Sequence, residues 1–148
     1  MRRMIWLSVL SAAIGWCGLA TASAREVIPA EQRNPSWSAA LPACEDPSVI
    51  GQVQSGFASR ESSYWQSNLA IAGVDHVRTI AFRPWGADYI PRRYCVARAY
   101  MSDGRLRTVS YNIIERAGPI GLTWGVEWCV SGLDRLFYYA PDCKMARP

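Results

Sequence analysis

Histidine occurs once in this chain, at His76, and lysine once, at Lys144. A lone His excludes a metal centre built from several imidazoles, and no pair of Cys stands at the two- to four-residue spacing of a zinc site. No Gly-x-Ser-x-Gly elbow is present, so a local signature of a serine hydrolase is missing. No glycine-rich loop opens a helix either, and the run at 118–121 reads as a turn rather than a phosphate cradle. The carboxylates Asp88, Glu115, Glu127 and Asp134 are scattered, without the pairing that glycoside hydrolysis uses. Only 19% of the residues are charged, and 11 Gly with 9 Pro are too few for a collagen-like or Pro-rich chain. No cofactor and no metal is therefore expected.

What is present begins with an export signal. Arg2 and Arg3 form a basic start, residues 5–19 an apolar run, and Ala22-Ser23-Ala24 a small-residue cleavage site. Cleavage after Ala24 is expected, leaving no stable membrane anchor and a periplasmic or secreted protein. Trp16 stands where lipid attachment at Cys17 would need a small residue, and a plain basic start explains Arg2-Arg3 without twin-arginine export. Loss of the leader removes two of the Arg and halves the formal net charge of +4. So weakly basic a chain is not expected to bind nucleic acid through counterion release. The 148 residues then divide into a signal peptide (1–24), an extended arm (25–43) and one α+β domain (44–148) acting as a monomer.

Four cysteines remain after cleavage, and an even count in an exported chain predicts two disulfides. Asp46-Pro47 is a helix start, with a capping carboxylate and Pro at the first helical position. Val49, Ile50, Val53, Phe57 and Tyr64 then recur at helical spacing, predicting an amphipathic helix to about residue 66 or 68 with these side chains inward. Beyond it the period falls to two. Residues 74–82, 94–101, 106–114 and 122–130 read as four strands in sequence, a meander with the helix on one face.

Asp103-Gly104 marks the central hairpin. A two-residue loop would set Cys95 opposite Asn112. A three-residue loop, Ser102-Asp103-Gly104 with Gly left-handed, sets Cys95 opposite Tyr111 and Ala97 opposite Val109, gathering small and apolar residues under the helix. The second register is the one expected. It puts Cys95 beneath the helix that Cys44 precedes, so Cys44 pairs with Cys95 and Cys129 with Cys143.

Two groups of residues could carry function. His76 follows Asp75, and regular alternation would put His76 and Arg78 on one face as a general base beside an anion clamp; His76, Asp75 and Glu127 could form the acid–base set of a small hydrolase or isomerase, with His76 as general base. The stretch 82–94 is the more unusual. Arg83, Trp85, Tyr89, Arg92 and Arg93 combine guanidinium forks with aromatic faces in a Pro-stiffened connection too long for a simple hairpin, a set suited to carboxylate, phosphate or sugar ligands. Trp124 and Trp128 fall on one face of a core strand. A non-catalytic binding or inhibitory module of the cell envelope, its ligand or protein partner unidentified, is the expectation the residues favour.

The runs Phe82-Arg83-Pro84-Trp85-Gly86, Pro91-Arg92-Arg93-Tyr94-Cys95, Ser102-Asp103-Gly104-Arg105 and Trp124-Gly125-Val126-Glu127-Trp128-Cys129 resemble a family of small secreted, periplasmic proteins of Gram-negative bacteria to which no activity is assigned. That resemblance covers most of 44–148 and implies export and a single domain, without a catalytic residue. The order of helix then meander also resembles cystatin-like and NTF2-like architectures, which host enzymes, inhibitors and ligand binders.

Overall fold

The structure is a computed structural model and describes residues 37–84 and 90–148. The leader lies outside the described residues. The first element among the described residues is helix α1, Pro47–Trp65, which follows the arm and is not at the N terminus of the chain. Strands β1 (Ile71–Arg83), β2 (Arg92–Met101), β3 (Leu106–Ile114) and β4 (Gly125–Val130) follow. They form one antiparallel sheet in the order β1-β2-β3-β4, an α+β meander.

The predicted helix start is the observed one. The Asp46 carboxylate accepts from the Ser48 N–H at 2.8 Å and the Ser48 hydroxyl at 2.6 Å, bonds that hold its pKa below the usual range. Val49, Val53 and Phe57 are buried at spacing four, and each contributes roughly 1.5–3 kcal/mol on leaving water. They lie over Cys95, Ala97 and Ala99, whose small side chains make room for them. Phe57 meets Trp128 edge to face, with ring centroids 5.6 Å apart.

Tyr64 departs from expectation. Its helical angle points toward the sheet, yet it is 74% exposed and lines an open groove with Trp65, Leu136 and Tyr138. The inward stripe instead continues at Glu61, which is 2% exposed.

The central hairpin has the three-residue loop. Cys95 pairs with Tyr111 and Ala97 with Val109. Gly104 takes φ 78°, and its N–H bonds to the Met101 carbonyl at 3.0 Å. Tyr111, fully buried, donates its hydroxyl to the Cys44 carbonyl at 2.8 Å. Both disulfides are Cys44–Cys95 and Cys129–Cys143, the pairing read from the sequence. The first lies on the helix face. The second ties the C-terminal segment across the open face of β3 and β4, with Tyr139 and Ala146 packed beside it.

β1 does not alternate as a regular strand. Its 13 residues oppose the 10 of β2, and the register slips between Ile71 and Gly73, between Asp75 and Arg78, and between Thr79 and Ala81. Each slip is a β-bulge with one extra residue on the edge strand. The connection from β3 to β4 is equally tight: Gly118 N–H bonds to the Thr123 carbonyl at 2.8 Å, and a Cβ on Gly125 would fall 2.4 Å from the Ala117 carbonyl oxygen.

The described end of the arm is docked. The Glu115 carboxylate accepts from Ser38 N–H at 2.9 Å, Ser38 hydroxyl at 2.8 Å and Ala39 N–H at 2.9 Å. Arg116 stacks on Trp37 at 5.3 Å, and Leu41 enters the core.

Candidate functional site

The β1–β2 connection leaves the sheet from a rung of two arginines. Arg83 lies directly opposite Arg92, and one rung inward Phe82 faces Arg93. Because side chains alternate along β2, the two neighbouring arginines part company. Arg92 shares the open face with Tyr94 and comes within 3.8 Å of the Glu127 carboxylate. Arg93 turns to the helix face, where its guanidinium stacks on Phe82 at 4.5 Å and donates to the Leu41 carbonyl at 3.4 Å. Arg83 stays with Arg92 and stacks on Tyr94 at 5.7 Å. Pro91 anchors the return of the loop, its carbonyl accepting from the Glu115 N–H at 3.1 Å. Trp85 and Tyr89 lie outside the described residues. Of the five ligand candidates, Arg83 and Arg92 are brought together, and Arg93 sits on the other side of the same sheet end.

The acid–base candidates are arranged differently. Asp75 receives both forks of Arg98, from Nε at 2.8 Å and Nη2 at 2.6 Å, and the Tyr100 hydroxyl at 2.6 Å. Arg98 above all holds the Asp75 carboxyl far below its ordinary range, and the same carboxylate pushes Tyr100 up. Such a carboxylate is a poor proton acceptor, since its charge is already matched by a bidentate partner. His76 lies in the second bulge with φ 49°, its Nδ1 3.1 Å from Asp75 and 3.0 Å from Arg98, and its side chain is 69% exposed. The bulge also undoes the shared face of His76 and Arg78: it is Asp75 and Arg78 that oppose the open-face residues Arg98 and Val96. Glu127 is on β4 at the far edge of the sheet, opposite Asn112, so three inter-strand spacings, roughly 14 Å, separate its strand from that of Asp75. Among the described residues no group of His, Cys, Asp and Glu could hold a metal ion. Among them, too, no helix is long and apolar enough to cross a membrane.

Sequence reasoning missed a second constellation at the far end of α1. Buried Glu61 accepts from Arg135 at 3.0 Å, Arg135 stacks on Trp65 at 4.9 Å, and Arg60 stacks on Trp128 at 3.9 Å. One signal was available: Glu61 continues the 49–53–57 stripe, and a carboxylate on an apolar stripe demands a cation. Its partner could not be read, because Arg135 lies in an aperiodic segment. No protein-family model, curated protein or solved structure matches this chain.

Proposed function

We propose that this chain is an exported, non-catalytic binding or inhibitory module of the cell envelope, holding an anionic, glycan or protein ligand at the root of the β1–β2 connection. The observation that carries the reading is the Arg83–Arg92 rung beside Tyr94. The two arginines are partners on one rung of the sheet and project to the same face, so an anion held between them would receive charge-assisted hydrogen bonds from both. Trp85 and Tyr89, which belong by sequence to the same connection, would supply aromatic faces, and Arg93 holds Phe82 and the Leu41 carbonyl on the other face of the sheet. The two disulfides suit an oxidising compartment outside the cytoplasm. The engagement of Asp75 by Arg98 and the openness of His76 favour binding over acid–base chemistry. The order of helix then meander supports a cystatin-like or NTF2-like architecture, in which ligand binders and inhibitors are at home.

The test is an NMR titration of the mature chain with glucuronate and, separately, inorganic phosphate at millimolar concentration. Saturable shifts at Arg83, Arg92 and Tyr94 amides are expected, weakened about tenfold in Arg92→Gln and little changed in Arg93→Gln. Absence of shifts with both anions, or equal binding by Arg92→Gln, overturns the proposal.

A further inference from the structure

We infer that the groove between the last turn of α1 and the 133–138 segment is a second, independent binding site, which takes an acidic peptide segment of a partner protein. The groove has a volume of about 270 Å³ and is lined by Arg60, Tyr64, Trp65, Leu136 and Tyr138. Its helix residues, 60–65, lie roughly 20 Å along the axis from Pro47 at the start of α1, and it shares no lining residue with the loop-root site.

Charge sets the chemistry of the occupant. The carboxylates Glu61 and Asp134, on the two segments that form the groove, are both committed, and Glu127 nearby faces Arg92. Glu61 is paired to Arg135, and Asp134 accepts the backbone N–H groups of Tyr138 at 3.1 Å and Tyr139 at 2.7 Å. Arg60 has no ion pair among the described residues and its guanidinium carbon sits 3.9 Å from the ring centroid of Trp128, a residue only 7% exposed. Stacking fixes the plane of the guanidinium and leaves its edge N–H groups for an incoming carboxylate, without a loss of side-chain freedom at the moment of binding.

The walls decide between classes of partner. Tyr64 and Tyr138 are 74% and 68% exposed, Leu136 51%, and Phe137 beside them 76%. Tyr, Trp and Arg around a small depression are the composition of a protein-interface anchor point. The volume stands at the lower edge of the range of small-molecule pockets, about 300–1,000 Å³, and has room for an apolar side chain. A Glu or Asp next to a Phe or Leu therefore matches it: the carboxylate reaches Arg60 while the neighbouring side chain enters between Trp65, Leu136 and Tyr138.

The probe is the capped peptide acetyl-Gly-Glu-Phe-Gly-amide, titrated into the mature chain by NMR beside its Gln analogue and glucuronate. Saturable shifts at residues 60, 64, 65, 136 and 138 are expected, about tenfold weaker with the Gln peptide and with Arg60→Gln, the loss of one charge-assisted hydrogen bond. Arg92→Gln leaves this binding unchanged. Tyr64→Ala, at an exposed position where folding is not at stake, also weakens the Glu peptide. The inference falls if the Glu peptide gives no saturable shift at these amides, if the Gln peptide binds as tightly, or if glucuronate saturates them at lower concentration than the peptide, which would make the groove a glycan site.

Discussion

Removing either disulfide should cost this domain a large and unequal part of its stability. Cys44–Cys95 closes a loop of 51 residues and Cys129–Cys143 one of 14. In the chain-entropy account the first restricts the unfolded chain by about 14 cal/mol/K, or about 4 kcal/mol at 25 °C, and the second by about 10 cal/mol/K, or about 3 kcal/mol. All four half-cystines are buried, with exposures of 0%, 0%, 2% and 1%. The packing lost on truncation to Ala is thus common to both variants and leaves the difference of about 1 kcal/mol to loop length. The assay is urea unfolding of the oxidised protein, of Cys44→Ala with Cys95→Ala, and of Cys129→Ala with Cys143→Ala. With a slope of about 2 kcal/mol/M the two variants separate by about 0.5 M in midpoint, the Cys44/Cys95 variant being the weaker. A Cys129/Cys143 variant that unfolds first would refute the reasoning, because the bond energy would then reside in how the C-terminal segment seats on the sheet and not in the unfolded chain.

Two further outcomes follow from side chains already described. Arg135→Ala strands the Glu61 carboxylate in the core and should destabilise by about 2–4 kcal/mol, whereas Arg135→Ala combined with Glu61→Met should recover more than half of that loss in the same urea assay. At Glu115, partial burial raises the pKa, but the Ser38 and Ala39 N–H groups and the Ser38 hydroxyl together hold it below its ordinary value. Docking of the arm is therefore fully stabilised above the ordinary carboxylate pKa of about 4.3 and is lost as pH falls below it. Amide exchange at Ser38 and Ala39 should accelerate below about pH 4 while that of Tyr111 and Ile113 stays slow; exchange independent of pH, after correction for intrinsic rates, would show that the carboxylate does not hold the arm.

Much of the fold was legible because its rules are local. Asp46-Pro47 marks a helix start whatever the surroundings, and Ser102-Asp103-Gly104 fixes the hairpin register through a glycine that must be left-handed. Once the register is set, Cys95 falls beneath α1 and the disulfide pairing follows. The site was less legible because it depends on where elements stop and slip. Tyr64 has the right angle on the helix, yet in its last turn it stands 74% exposed. Alternation at His76 and Arg78 is broken by a bulge that no residue type announces. Arg92 and Arg93 are adjacent in sequence, and for that reason a strand sends them to opposite faces. The Glu61–Arg135 pair joins a helix to a segment without periodicity, and no spacing rule connects them.

The three surplus residues of β1 matter most at the rim of the sheet. A meander has two outer strands, and each is a row of backbone donors and acceptors that could recruit a foreign strand. β4 is only six residues long, too short to seed an extended ladder. β1 is long enough, but its spare residues coil it and throw successive N–H and C=O groups out of line, so an incoming strand can match only a few of them before its register fails. The irregularity of β1 therefore keeps the sheet at four strands and makes growth into a fifth unfavourable.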